Sequence, residues 1–332
     1  MKPIPLILDL DTGIDDAIAL VYALGHPLAE VVAVGAVHGN VPAPIAAQNS
    51  LRILEMLRRA DVPVAVGARR PLAQPLATAE FIHGSDGLGE TQLPAPQGTP
   101  ANEHAARQIV RLARQRPGEL TLVATGPLTN LALALMAEPD LPRLLHQVVI
   151  MGGAAGCPGN ITATAEANIW HDPEAADLVF QAGWPLRMVG LDVTMQVHMT
   201  TSKRLRLREM AADVPVAGWI DRMLDFYVRA YAGALGEGVC PVHDPLAMAA
   251  ALQPEMLSYA RWPVRVETSG RLTRGMTVAE RRELGEQTEQ LAPITAPLTE
   301  VAVGVDPDAF FHSFFASLAN LGQSESGVAK SG

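Results

Sequence analysis

Short runs of aliphatic and β-branched residues alternate with amphipathic stretches along the first two-thirds of the chain. The alternation predicts strands near Leu6–Asp11, Val31–Val37, Val62–Val66, Leu120–Ala124, Val148–Met151 and Arg187–Leu191. Helical spacing falls at Asp15–Leu24, Ala43–Arg59, Glu103–Gln115, Leu128–Met136 and Pro173–Gln181. Near-continuous apolar strands separated by amphipathic helices belong to a parallel sheet covered on both faces. The expected fold is α/β: one open, mostly parallel, doubly wound sheet over residues 1–322. Residues 323–332 are small and polar and are expected to form a disordered tail. Two stretches break the rhythm. Thr78–Asn102, rich in Gly and Pro, is too long for an ordinary connection and is expected to act as a lid. Val197–Val239 is mainly helical, leaves through Gly233, Gly236 and Gly238, and is expected to flank the site.

The polar residues within this pattern are placed by position. In an open parallel sheet, ligands bind where the strands end and the chain leaves the core. Here those points carry Asp9-Leu10-Asp11-Thr12-Gly13-Ile14-Asp15-Asp16, His38-Gly39-Asn40, Thr125-Gly126-Pro127-Leu128-Thr129-Asn130 and Met151-Gly152-Gly153. Gly159-Asn160 and Glu166-Ala167-Asn168 follow the fifth strand. Asp9 and Asp11, two apart, are expected to share a strand face. Asp11, Asp15 and Asp16 form a carboxylate cluster without a lysine or arginine among them. Such crowding is costly without a cation, and oxygen donors suit a hard ion, Ca²⁺ or Mg²⁺.

Simpler local roles are open to several of these residues. Thr12-x-x-Asp15 reads as a capping box, and Asp16 in a first turn suits the helix dipole. In both His243-Asp244-Pro245 and His171-Asp172-Pro173, an Asp N-cap and a first-turn Pro explain two residues of the three. Glu166 and Asn168 fit a turn, and His83 fits an ordinary loop. Asp11, at the end of a buried strand, has no such explanation.

Composition narrows the class. Apolar residues make up 48% and charged residues 18%, enough for a large core and too little charge for disorder. A net charge of −10 argues against nucleic acid as a partner, which needs a basic surface. The short basic run Lys203–Arg208 reads as a solvated face. No apolar run approaches the ~20 residues of a membrane span, so no membrane partner is expected. Met1–Leu8 reaches Asp9 before a signal-peptide core could form, and the expected location is cytoplasmic. Cys157 and Cys240 have neither disulfide nor metal-ligand spacing.

Taken in order, these motifs resemble the inosine-uridine-preferring nucleoside hydrolase family. The resemblance is carried by LDLDTGIDD at Leu8–Asp16, His38–Asn40, IHGSDGLG at Ile82–Gly89, ATGPLTN at Ala124–Asn130 and VIMGG at Val149–Gly153. It continues through Gly159-Asn160, Ala165–Asn168, Gly190–Thr194, Val242–Pro245 and Arg271–Val278, spanning roughly residues 4 to 320. It implies a Rossmann-type core and Ca²⁺-dependent cleavage of the N-glycosidic bond of ribonucleosides, giving ribose and free base. It implies that Asp11, Asp16, Asp244 and the carbonyl of Thr125 hold the calcium, and that Asp11 activates the metal-bound water. By the same resemblance Asp15, Asn40, Asn160, Glu166, Asn168 and Asp244 grip the sugar beside Met151. His243 is the expected acid for the leaving base, and His83 a contact on the lid. Tyr227 and Tyr231 share a helix face at i, i+4, which fits either base binding or core packing. His171 is expected to be structural, and Trp170 has no role by resemblance. A homodimer or homotetramer is implied.

Three other classes are weighed against this one, of which a ribosyl-transferring phosphorylase would share the substrate but needs a phosphate site, and the sequence offers no persuasive basic or glycine-rich cradle for one. A haloacid-dehalogenase-type phosphatase would use Asp9 as nucleophile and Asp11 as acid/base. It also needs a downstream lysine, and only Lys2, Lys203 and Lys330 exist, none with a suitable acidic neighbour. A non-catalytic nucleoside-binding protein would not need so many convergent carboxylates.

Overall fold

Strand β1 (Ile4–Leu10) is apolar on both faces because helices cover both. Leu6, Leu8 and Leu10 enter one core, while Ile7 and its neighbour Ala33 enter the other. The computed structural model describes residues 2–283 and 292–328, with backbone only over 323–328. The further strands are β2 (Ala29–Ala36), β3 (Val64–Val66), β4 (Thr121–Ala124), β5 (Gln147–Met151) and β6 (Leu186–Val189). After them come β7 (His198–Met199), β8 (Cys240–Pro241), β9 (Leu257–Val266), β10 (Thr277–Ala279) and β11 (Leu298–Val305). Among the described residues nine strands form one sheet in the order β10-β9-β11-β6-β5-β4-β1-β2-β3, and β7 pairs with β8 apart from it.

The six strands from β3 to β6 are parallel, and their order reverses between β1 and β4. At such a reversal the following segments diverge to opposite faces and open a crevice at the carboxyl edge. The predicted helices are present as Ile14–Gly25, Ala43–Met56, Ala105–Gln115, Thr129–Ala137 and Pro173–Phe180. Sequence patterning missed the edge made by β9, β10 and β11. There β11 runs parallel to β6, while β9 is antiparallel to both β11 and β10. Exposed Arg261 and half-buried Trp262, Pro263 and Arg265 interrupt the apolar run of β9, so it does not read as a buried strand.

The last described element is a helix, Pro307–Val328, whose Phe310 and Phe314 rings pack on Tyr22. The expected tail is thus helical as far as Val328, and residues 329–332 lie outside the described ones. Val197–Val239 holds helices Thr201–Met210 and Pro215–Leu235, the second ending at Gly236 with φ 87°. The segment 78–102 contains one short helix, Glu80–His83. It is tied to the helix Ala43–Met56 at two points. Asn49 donates to the Asp86 carbonyl, and Glu55 accepts from the Gln97 and Gly98 amides. Among the described residues no helix is long and apolar enough to cross a membrane.

Candidate active site

The two strands flanking the order reversal deliver Asp11, just past β1, and Thr125, just past β4. Asp11 is fully buried and accepts twice from Asn40, from its backbone N–H at 2.7 Å and its amide at 3.1 Å. The same Asn40 amide donates to Asp16 at 3.0 Å. Asp16 also accepts from the Gly13 amide at 2.9 Å, closing the first turn of the helix Ile14–Gly25, and from the Thr125 hydroxyl at 2.7 Å. The expected Thr12–Asp15 capping box is therefore not formed. Thr12 shares its hydrogen bond with Ser50 instead, and Asp16 takes the capping role from Gly13. That leaves Asp15 free of the cap. One of its oxygens accepts from Tyr227 at 3.0 Å, and the other, Oδ1, is buried without a partner.

The two His-Asp-Pro triplets diverge. Asp172 caps its helix through the Ala175 amide and also accepts from Thr129 and the Leu72 amide, so local structure consumes it. Asp244 is already the first residue of its helix, with His243 at the N-cap, and makes no capping bond. Its carboxylate turns toward Asp15 and Asp16, and one oxygen from each of the three lies within 4.8 Å of the others. Asp11 adjoins this trio through Asp16 and the shared Asn40 amide.

Burial raises all four carboxyls above their ordinary range, and repulsion among them adds to it for Asp11, Asp15 and Asp244. Asp15 is pushed up to about 7, first by burial and then by Asp16. Asp11 and Asp244 lie well above the carboxylate range for the same kinds of reason. No lysine or arginine pairs with any of them among the described residues. An all-oxygen donor set with an unpartnered carboxylate oxygen fits a hard divalent cation.

Above this floor is an open cavity of about 220 Å³. Asp15, Asn40, Thr125 and Asp244 reach its surface, whereas Asp11 and Asp16 lie beneath it. Met151, Asn160, Glu166 and Asn168 form one side. Glu166 caps the helix Ala167–His171 by accepting from the Asn168 and Ile169 amides, and it also holds the Gly153 amide. Asn168 donates to the Thr125 carbonyl at 2.6 Å and to the Met151 carbonyl at 3.1 Å, which fixes both strand ends. Asn160 accepts from the Ala167 amide at 2.9 Å.

The opposite side is aromatic. Tyr227 and Tyr231 line the cavity with ring centroids 5.0 Å apart, and the His83 ring lies 5.4 Å from Tyr227. His83 Nδ1 accepts from the Ile14 amide, so its proximity to Asp15 is not an ion pair. Burial pushes the imidazoles of His83 and His243 down to about 3. His243 meets the Tyr231 hydroxyl at Nε2, 3.2 Å, and the Thr194 hydroxyl at Nδ1, 2.8 Å. Phe81, Ile82, Ile161 and the alanines Ala79, Ala167, Ala230 and Ala234 complete the lining. Ala230 and Ala234 continue the face of Tyr227 and Tyr231 at helical spacing, a signal present in the sequence but carried by residues without distinctive chemistry.

Other residues stay outside the cavity. His171 bonds the Ala167 carbonyl at 2.7 Å, as a structural histidine does, with Trp170 against its ring. Asp9 has no bonding partner in common with Asp11. It accepts from Asn130 at 2.8 Å and, 1% exposed, does not reach the cavity. Asp9 is turned to Asn130 and apart from the acidic group, so the phosphatase alternative is not favoured. Cys157 and Cys240 are unbridged.

A doubly wound sheet with an acidic, oxygen-rich floor and an aromatic wall at its order reversal defines an α/β enzyme for a small polar ligand. Residues 6–312 match the family model of inosine-uridine preferring nucleoside hydrolases. The chain is 41% identical over 317 residues to a pyrimidine-specific ribonucleoside hydrolase RihA of Shewanella sp. (strain MR-7), covering 95% of this chain and 96% of that one. It is 38% identical to a probable uridine nucleosidase of Arabidopsis thaliana, covering 92% and 94%. Among solved structures, a purine-preferring ribonucleoside hydrolase from Gardnerella vaginalis superposes with a TM-score of 0.87 at 34% identity, over 96% of this chain and 99% of that one. A plant nucleoside hydrolase gives 0.88 at 35%, with the same coverage. The chain belongs to the inosine-uridine preferring nucleoside hydrolase family, and it is an N-glycosidase.

Proposed function

We propose that this enzyme hydrolyses ribonucleosides with Ca²⁺ held by Asp11, Asp16, Asp244 and the Thr125 carbonyl. The observation that carries the reading is the meeting of the Asp15, Asp16 and Asp244 carboxylates on the cavity floor with no basic residue to neutralise them. A divalent cation there supplies the missing positive charge, a hold on the ribose hydroxyls and an increase in the acidity of water. Asp11 takes a proton from the attacking water, its carboxylate held in place by the two Asn40 donors. Asp15, Asn40, Asn160, Glu166, Asn168 and Asp244 grip the sugar, with Met151 packed beside it. The same oxygens favour the positive charge that develops on the ribosyl group as the C–N bond breaks. The bond electrons leave with the base, which needs a proton or a hydrogen bond as it departs. His243, acting beside Tyr231, fills that role, and His83 and Tyr227 bound the space for the base.

Uridine is the first substrate to try, because pyrimidine and uridine stand in the names of two similar proteins. Cytoplasmic salvage by a homodimer or homotetramer belongs to the same reading and rests on the family alone. The test is release of reducing sugar from uridine and inosine in phosphate-free buffer, with calcium and then with a chelator. Release that chelation abolishes and calcium restores supports the proposal. Undiminished release after exhaustive chelation overturns the calcium role, and no release from either nucleoside overturns the substrate class.

A further inference from the structure

His243 has one hydrogen-bond partner on each ring nitrogen, and only one of the two faces the cavity. Nε2 meets Tyr231, a cavity residue, at 3.2 Å, while Nδ1 meets Thr194 at 2.8 Å on the buried side. A neutral imidazole carries its proton on one nitrogen, and the partner of the other nitrogen decides which. Thr194 decides here, because its hydroxyl is wholly buried and His243 is its sole side-chain hydrogen-bond partner among the described residues.

A buried hydroxyl hydrogen has to be donated to something. The carbonyl one turn back, on Gly190, already accepts the Val193 and Thr194 amides and makes no bond to the Thr194 hydroxyl. The remaining acceptor is His243 Nδ1. If Nδ1 carried the ring proton, whether the ring were neutral or charged, Thr194 would have to accept and its own hydrogen would be stranded.

We propose that Thr194 is a positioning residue: its hydroxyl donates to His243 Nδ1 and locks the ring in the tautomer with its proton on Nε2, the nitrogen that faces the cavity. Tyr231 then accepts from Nε2–H and keeps its own O–H for donation at the cavity wall. The wall presents donors, not acceptors, where a departing base gathers electrons. The catalytic consequence rests on the nucleoside-hydrolase reading above, whereas the tautomer does not.

The experiment has two arms. In ¹⁵N-histidine-labelled protein, with His243 assigned by loss of its signals in His243→Asn, the ring is expected to show its proton on Nε2. That pattern is expected to be lost or mixed in Thr194→Val and recovered in Thr194→Ser. A proton on Nδ1 in the wild type overturns the proposal, even if the valine variant fails to fold. In the kinetic arm, Thr194→Val is expected to lower kcat on uridine by roughly 10–100-fold with KM little changed, less than loss of a whole acid. A nitrophenyl riboside, whose leaving group needs no proton, is expected to turn over at near the wild-type rate. Equal losses on both substrates, or failure of the serine variant to restore kcat, overturn the positioning role. Should the wild type hydrolyse no nucleoside, the functional reading fails by itself and the spectrum still decides the tautomer.

Discussion

Tyr227 donates its hydroxyl to Asp15 across 3.0 Å, tying a residue 212 positions away in the chain to the acidic floor. The hydroxyl meets Asp15 Oδ2, while Oδ1 is buried without a partner. Tyr227→Phe removes one oxygen and keeps the ring contacts with His83 and Tyr231. The expected result is a loss of about 1 kcal/mol of stability in calcium-free protein, from stranding a buried acceptor. A higher KM for nucleosides is expected with it. Thermal melts and steady-state kinetics check both, and an unchanged KM would separate Asp15 from the sugar.

Asp11→Ala is expected to abolish turnover while the fold persists. The variant relieves repulsion in the group formed with Asp16 and Asp15, so calcium-free protein should melt no lower than wild type. Near-wild-type activity in this variant would remove Asp11 as the base.

Calcium is expected to stabilise the protein more as pH rises. In the cation-free state Asp15 holds its proton up to about 7, against 3.8 for an ordinary aspartate, and Asp11, Asp16 and Asp244 are raised as well. A carboxyl whose value is raised by folding contributes stability that is full below its unfolded value and lost as pH climbs through the folded one. The buried imidazoles of His83 and His243 act in the opposite sense below their ordinary value of 6.5. Comparing loaded with chelated protein at each pH sets that aside. The Tm gap should widen from about pH 5 to about pH 8, and a gap independent of pH would count against a cation on these groups.

His243→Ala is expected to slow uridine and inosine far more than a riboside with an activated leaving group, by roughly 10²–10⁴-fold for a lost general acid. Equal slowing on both would mean that the ring shapes the cavity rather than protonating the base.

Asp172→Ala should behave as a structural change only. It removes the cap on the Ala175 amide and bonds from Thr129 and the Leu72 amide, and is expected to cost about 2 kcal/mol or more. At temperatures where the variant is folded, kcat should stay close to wild type. A large loss of kcat in fully folded protein would show that this aspartate reaches the reaction.

The contrast between Asp172 and Asp244 shows where sequence reading stops. Both stand in a His-Asp-Pro triplet before an apolar helix, and capping chemistry accounts for either one. They differ only in what distant segments bring to them: donors from Thr129, Leu72 and Ala175 for one, acidic neighbours for the other. Asp11 was legible without such help, because a buried parallel strand that ends in a carboxylate has no local use for it. The parallel core was legible for a similar reason, its strands being apolar on both faces. The β9–β11 edge was not, since half-exposed strands mix polar with apolar positions. Thr12 and Asp15 fitted a cap by spacing alone, and Ser50 and Tyr227, which claim them instead, are remote in the chain.

The reversal of strand order between β1 and β4 divides the cavity into a part that is costly to alter and a part that is cheap. The floor joins the ends of two adjacent central strands to the first turns of the helices that carry Asp15, Asp16 and Asp244, and shared hydrogen bonds link Asp11, Asp16 and Thr125 within it. The roof comes from a surface helix and a loop helix, through Ala230, Ala234 and Phe81, which carry no hydrogen bond of the acidic group. Substrate choice can therefore drift by one or two substitutions at the roof while the bond-breaking apparatus stays as it is. A single scaffold can in this way give rise to enzymes that differ in the base they release and agree in how they release it.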